Sequence, residues 1–325
     1  MQYRRLGKTG YEVSAVGFGA WGIGSEWGPV DDEVSLQALH AAADAGVNFF
    51  DTADVYGSEP LLGRFLRERD ERLYLATKLG RKAGPSFDRD RFGERQLEAW
   101  VDDSRENLGV ETLDLVQTHT LPTDFYYWPE LFRGLDRLVE KGKVAHYGVS
   151  VERSEEGLKA IEYDGVASVQ IIFNMLRLRP SERFFAAAAE RDVGIVVRVP
   201  LASGILTGKL RKDSEFAPDD HRRFNVRGKA FDVGETFSGV PLDAGVEFAD
   251  AIGALVPEGA TMAQLALRWI LMWPEVSTVI PGAKTPDQAR ANAAAADLAP
   301  VRAETMLRVE QLYRERVAPL VHQRW

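Results

Sequence analysis

Gly17-Phe18-Gly19-Ala20-Trp21-Gly22 is the stretch on which two parallel-sheet architectures part company. It matches G-x-G-x-x-G, the glycine fingerprint that follows the first strand of a doubly wound open sheet and opens a helix onto a dinucleotide phosphate. The context fails here. The first glycines fall inside the strand predicted at Val16–Gly19, and Ile23 to Val30 is a loop containing Gly, Pro and Trp rather than a helix. The glycines give no support to an open sheet, so the rest of the chain must decide.

Outward from that stretch, short β-branched or aromatic runs alternate with longer amphipathic segments. Strands are predicted at Val47–Asp51, Leu73–Lys78, Leu113–His119, Val144–Ser150, Ser168–Ile172, Gly194–Val199 and Thr278–Pro281. Helices are predicted at Asp32–Ala45, Glu59–Glu68, Phe92–Leu108, Pro129–Lys141, Glu155–Ile161, Ser181–Arg191, Thr261–Trp273 and Pro286–Ala295. Gly46, Gly109, Gly142 and Gly194 sit where left-handed helix stops are expected. Counting Val16–Gly19, this is a strand–helix unit repeated eight times, which predicts a closed α/β (β/α)8 barrel, a TIM barrel. A hairpin, Tyr3 to Leu6 and Tyr11 to Ser14 around Gly7-Lys8-Thr9-Gly10, precedes it. Gly204 to about Pro241 breaks the rhythm as a long loop after strand seven, which places it at the C-terminal face where barrel enzymes carry their sites. One domain, 1–325, accounts for the whole chain.

In such a barrel Asp51, Lys78 and His119 each end a strand at one rim, and Tyr56 follows Asp51 in the adjoining loop. Alone, each has an ordinary reading: a turn acceptor, a solvated edge charge, a satisfied core histidine, a packing aromatic. Their joint position is what points to chemistry.

Asp51-Thr52-Ala53-Asp54-Val55-Tyr56-Gly57 resembles the D-T-A-x-x-Y-G segment of the aldo-keto reductase superfamily. Ala76-Thr77-Lys78 and Asp114 to His119 resemble its lysine and histidine strands. Gly148-Val149-Ser150, Gln170 with Asn174, Pro200 to Lys209 and Ile280-Pro281-Gly282 continue the match in order over nearly the whole chain. The resemblance implies carbonyl reduction, reversible to alcohol oxidation. Tyr56 would donate the proton, Lys78 would lower its phenolic pKa from ~10, Asp51 would hold Lys78, and His119 would orient the carbonyl; no metal is needed. The hydride comes from a nicotinamide, since no side chain supplies one.

For that cofactor the resemblance implies contacts from Gly19, Ala20 and Trp21, with Ser150 and Gln170 on the carboxamide and Arg198 beside the ring. Pro200, Leu201, Ser203, Ile205 and Lys209 would follow the pyrophosphate, and Gly282, Lys284, Gln288 and Asn292 the adenosine end. Lys284 at a helix N-terminus suits a 2′-phosphate, hence NADPH over NADH. Three positions depart from the family: Val151 replaces its usual Asn, Arg198 its stacking aromatic, and Ala291 its acidic residue near adenine. These bear on cofactor affinity rather than on catalysis. For the substrate, Tyr56 and His119 would meet the carbonyl, with an aromatic wall from Trp21, Trp27, Tyr126, Tyr127 and Trp128, and with Phe231 and Phe237 from the long loop.

Two other readings remain. A metal-dependent hydrolase built on Asp51 and His119 lacks ligands, because of five histidines His40, His146, His221 and His322 lie away from strand ends. A cofactor-binding regulatory subunit or redox sensor resembling potassium-channel β-subunits shares every motif above. A net charge of −9 argues against general nucleic-acid or acidic-membrane binding. No apolar run is long enough for membrane insertion, and the absence of cysteine with a polar start reads as cytoplasmic. Trp100 and Trp269 to Trp273 leave a homo-oligomer open.

Overall fold

The computed structural model describes residues 1–24, 31–84 and 86–325. Its first elements, β1 (Tyr3–Arg5) and β2 (Glu12–Ser14), pair antiparallel as the predicted hairpin. Then follow β3 (Phe18–Gly19), α1 (Asp32–Asp44), β4 (Phe49–Asp51), α2 (Glu59–Arg67), β5 (Tyr74–Leu79) and α3 (Glu94–Leu108). Next come β6 (Leu113–His119), α4 (Pro129–Glu140), β7 (Val144–Val151), α5 (Ser154–Ala160), β8 (Val166–Ile172), α6 (Pro180–Glu190) and β9 (Gly194–Arg198). The chain ends with α7 (His221–Phe224), α8 (Leu242–Gly253), α9 (Met262–Ile270), β10 (Val276–Val279), α10 (Pro286–Ala294), α11 (Ala303–Arg316) and α12 (Ala318–Val321).

Strands β3 to β10 form one eight-stranded parallel sheet in chain order. Bridges between Val16 and Val279 and between Gly19 and Gly282 bring its two edges together. There Gly17 N–H donates to Val279 at 2.8 Å and Gly19 N–H to Pro281 at 3.0 Å. The glycines of the opening motif thus serve barrel closure, since a Cβ at Gly19 would lie 2.9 Å from the Ile280 carbonyl. The hairpin caps one end of the barrel. Leu6 and Val13 join Phe49, Ala76, Leu115, Val196 and Ile280 in a small buried cluster, while the larger core lies between sheet and helices.

Gly46, Gly109 and Gly142 have positive φ, as expected of helix stops. Gly194 does not: it lies in β9, and Asp192, at φ 52°, makes the left-handed turn instead. What confines Gly194 is contact, because a Cβ there would meet Leu6 at 2.6 Å. The last strand runs two residues earlier than predicted. Helices α8 and α11 were not anticipated, nor was the short α7 inside the long loop.

Candidate active site

Register settles which side chains face inward. Paired residues on parallel strands point to the same side, and so does every second residue along a strand. Asp51 pairs with Ala76, two before Lys78; Lys78 pairs with Gln117, two before His119; His119 pairs with Ser150, and Ser150 with Gln170. Asp51, Lys78, His119, Ser150 and Gln170 therefore share one face of the sheet. All five are buried.

Lys78 Nζ donates to Asp51 Oδ1 at 2.5 Å and to the Thr52 carbonyl at 2.8 Å. Gln170 Nε2 donates to Asp51 Oδ2 at 2.7 Å. Burial raises Asp51 and lowers Lys78, with their mutual attraction and these hydrogen bonds opposing it. Tyr56, from the loop after β4, brings its hydroxyl to 3.3 Å from His119 Nε2, with Lys78 Nζ 5.0 Å from its ring centre. Burial, then the charges of Asp51 and Glu235, push the Tyr56 phenol well above its usual value. The net direction is therefore upward rather than the expected downward, because burial outweighs the neighbouring cations. Burial, then Arg81, Lys78 and Arg198, holds His119 well below the usual imidazole value, so it is neutral at neutral pH. Its Nδ1 is buried without a partner.

Three further charged residues that the sequence reading left out enclose this centre. Arg81, just past β5, donates from Nη2 to Thr120 Oγ1 at 2.5 Å and to Glu235 Oε1 at 2.7 Å. Glu235 comes from the long loop, and its other oxygen lies 3.5 Å from Arg198 Nη1. Arg198 Nη2 also donates to Glu152 Oε1 at 2.5 Å. Burial pushes Glu152 up to about 8 against the pull of Arg198, whereas Arg81 and Arg198 overcome the burial of Glu235 and hold it at about 2. The Gly80-Arg81 turn beside the lysine strand was the signal available for Arg81; nothing local distinguishes Glu235.

Of the aromatic wall, Trp21 reaches the centre: its ring is 5.9 Å from Tyr56, 5.9 Å from Phe231 and 4.8 Å from His221. Tyr126 is core, donating its hydroxyl to the Ser150 carbonyl at 3.1 Å. Tyr127 is 62% exposed, with Lys159 over its ring, and Trp128 packs on Phe125 and beneath Arg89. Phe237 is buried beside Phe216. Trp27 lies outside the described residues.

The residues expected to hold a nicotinamide dinucleotide fit that group in three respects. The Ser150 hydroxyl is buried without a hydrogen-bond partner, as a carboxamide contact requires. Val199, Ala202, Ser203 and Gly204 have φ between 47° and 102°, a clustered left-handed backbone of the kind that forms anion-binding concavities, with the Ala202 and Gly204 N–H groups donating to the Val199 and Leu201 carbonyls. Ser203 Oγ itself ties the loop, donating to the Glu235 carbonyl at 3.0 Å. Pro200 and Ile205 are buried, Leu201 partly so, and Lys209 is exposed. At the third place, Lys284 N–H donates to Gln288 Oε1 at 2.8 Å and Asn292 Nδ2 to the Gly282 carbonyl at 3.1 Å, joining the adenosine-end residues around the start of α10. Arg222 joins them from the loop. Its charge adds to burial in lowering the Lys284 pKa, and its Nη1 lies 3.7 Å from where a Gly204 Cβ would stand. Ala20 is buried beside Gly19 at the end of β3.

The aldo/keto reductase family model matches residues 15–314. The chain belongs to that family, a family of oxidoreductases that use nicotinamide cofactors on small carbonyl compounds. It is 29% identical to a probable voltage-gated potassium channel subunit beta of Arabidopsis thaliana, over 96% of each chain. A glycerol dehydrogenase from Gluconobacter oxydans superposes with a TM-score of 0.77 at 27% identity, covering 97% of this chain and 96% of that one. The holo form of an aldo-keto reductase from Bacillus halodurans does so with a TM-score of 0.76 at 25% identity, covering 96% of each. Among the described residues no helix is long and apolar enough to cross a membrane.

Proposed function

We propose that this chain, acting as one unit, reduces an aldehyde or ketone to an alcohol with NADPH, Tyr56 giving the proton. The observation that carries this reading is the Tyr56 hydroxyl 3.3 Å from a neutral His119, beside the buried Lys78–Asp51 pair. A bound nicotinamide supplies the hydride. The protein's part is to hold the carbonyl oxygen between two hydrogen-bond donors as charge builds on it. Neutral His119 donates from Nε2, and Tyr56, which burial keeps protonated, gives up its hydroxyl proton to the new alkoxide. The phenolate left behind is accommodated by the Lys78 ammonium 5.0 Å from its ring, and Asp51 and the Thr52 carbonyl fix that ammonium in place. Ser150, Gln170 and Arg198 would flank the nicotinamide; Gly19, Ala20 and Trp21 the entrance; Pro200 to Lys209 the pyrophosphate; Gly282, Lys284, Gln288 and Asn292 the adenosine.

Tyr56→Phe tests the assignment. Cofactor binding, followed by tryptophan fluorescence, should persist while turnover falls about 100- to 10,000-fold; near-normal turnover would remove Tyr56 as the donor. The resemblance to a channel β-subunit favours the regulatory reading only if binding is tight and a broad carbonyl panel is turned over slowly by the unmodified protein.

A further inference from the structure

Trp325 follows α12 and belongs to no barrel element, yet it is 3% exposed. Its indole lies over the Arg177 guanidinium, 3.9 Å from carbon to ring centre, and Arg177 is itself fully buried. Loop residues 234–239 pack on the same ring. A Cβ at Gly234 would stand 2.9 Å from Trp325 Cη2, and one at Gly239 would stand 2.8 Å from Cζ2. The indole therefore leaves no room for a side chain at either place. Its Nε1 is buried without a hydrogen-bond partner, so packing and the cation–π contact hold the ring.

The same segment is tied to the turn expected to carry the pyrophosphate. Ser203 Oγ donates to the Glu235 carbonyl at 3.0 Å and accepts from the Phe237 N–H at 3.2 Å. Asn174 Nδ2 donates to Ser238 Oγ and to the Val199 carbonyl, each at 2.9 Å. Asn174 and Arg177 pair through one backbone bridge after β8, so a single turn supplies both the tether to Ser238 and the seat of the indole. Phe237 and Ser238 have φ 54° and 56°, left-handed values unusual for L side chains. Such backbone persists only while its surroundings over-determine it, so loss of an anchor favours the open segment.

We propose that Trp325 is a positioning residue that keeps segment 234–239 closed on the 199–204 turn, and thereby sets how fast the bound dinucleotide leaves. The proposal rests on the reading of that turn as the pyrophosphate site. Trp325 packs on Gly234, Gly239 and Arg177, so it acts through the loop. Release then requires the segment to come off the indole, a step of the kind that limits turnover in many enzymes with closing loops.

Stopped-flow release of NADPH, chased with excess NADP+ and followed by nicotinamide fluorescence, tests it. Trp325→Ala should speed release by about 10-fold or more, the order of a lost desolvated cation–π contact, with little change in the association rate. Trp325→Phe should keep release within about threefold of the unmodified rate, because a phenyl ring still covers Arg177. Gly239→Ala keeps the indole but presses the segment off it, so it should speed release as well, and it carries the test if Trp325→Ala does not fold. Leu6→Ala, which removes buried bulk under the hairpin, controls for general destabilisation and should leave release unchanged. Release within about twofold of the unmodified rate in both Trp325→Ala and Gly239→Ala overturns the proposal and leaves the reductase reading standing. Equal acceleration by Leu6→Ala does the same. An unmodified protein that binds neither NADPH nor NADH overturns the reductase reading and this proposal with it.

Discussion

Asp51 and Asp54 lie in one turn of chain and have opposite fates. Asp51 accepts from Lys78 and Gln170, so its charge is wanted; Asp54 has both carboxylate oxygens buried without a hydrogen-bond partner. Burial pushes Asp54 up to about 7, against the charges of Lys82, Lys78 and Arg81 and with that of Glu59. The sign follows from linkage. A carboxyl whose folded pKa exceeds its unfolded value of about 3.9 binds its proton more tightly when folded. Its contribution to stability is full below the unfolded pKa and is lost as pH rises through about 7. Asp54→Asn should therefore flatten the fall of melting temperature between mildly acidic and mildly alkaline pH, and raise it on the alkaline side. An unchanged pH profile would show that Asp54 titrates normally. At this scale the sequence was informative about Asp51, Lys78 and His119, because strand ends locate them, and about Tyr56 in the loop that follows Asp51; it was silent about Asp54's isolation, which depends on what fails to reach it.

Among the elements, the hairpin shows how a local motif acquires a tertiary role. Gly7 has φ 49°, and a Cβ there would stand 2.2 Å from the Gly194 nitrogen, so the turn rests on the start of β9 without room for a side chain. Leu6 is fully buried against the barrel floor. Leu6→Ala should cost about 2–5 kcal/mol in denaturant unfolding, the range for a core leucine whose site collapses only in part; a loss well under 1 kcal/mol would mean the hairpin does not seal that end. Most barrel helices were legible from apolar spacing and their caps. Helix α8 follows a Gly-rich loop that masks its start, although Val246, Phe248, Ala249 and Ile252 form its buried face. Helix α11 is strongly charged, and its buried Thr305, Val309, Leu312 and Tyr313 make a narrow stripe. Both signals were present but weak beside the surrounding charge and glycine.

Over the whole molecule, the site is assembled from segments that meet only on folding. Arg222, in the segment after β9, lies near enough to Lys284 at the start of α10 for its charge to add to burial in lowering the Lys284 pKa. If they face a 2′-phosphate, Lys284→Ala should weaken NADPH by about 10-fold more than NADH in fluorescence titrations; equal losses would leave the preference without a basis at this residue. Helix and strand periodicity and the order of motifs are local properties, and from them the sequence by itself determined the eightfold barrel and the rim at which Asp51, Lys78 and His119 meet. Which face each strand turns inward was decided by register, since the parity of a strand has no meaning until its neighbours are paired. The Arg81–Glu235 contact joins residues 154 positions apart. No local pattern encodes it, because it exists only where the closed barrel brings the loop after β9 back across the end of β5.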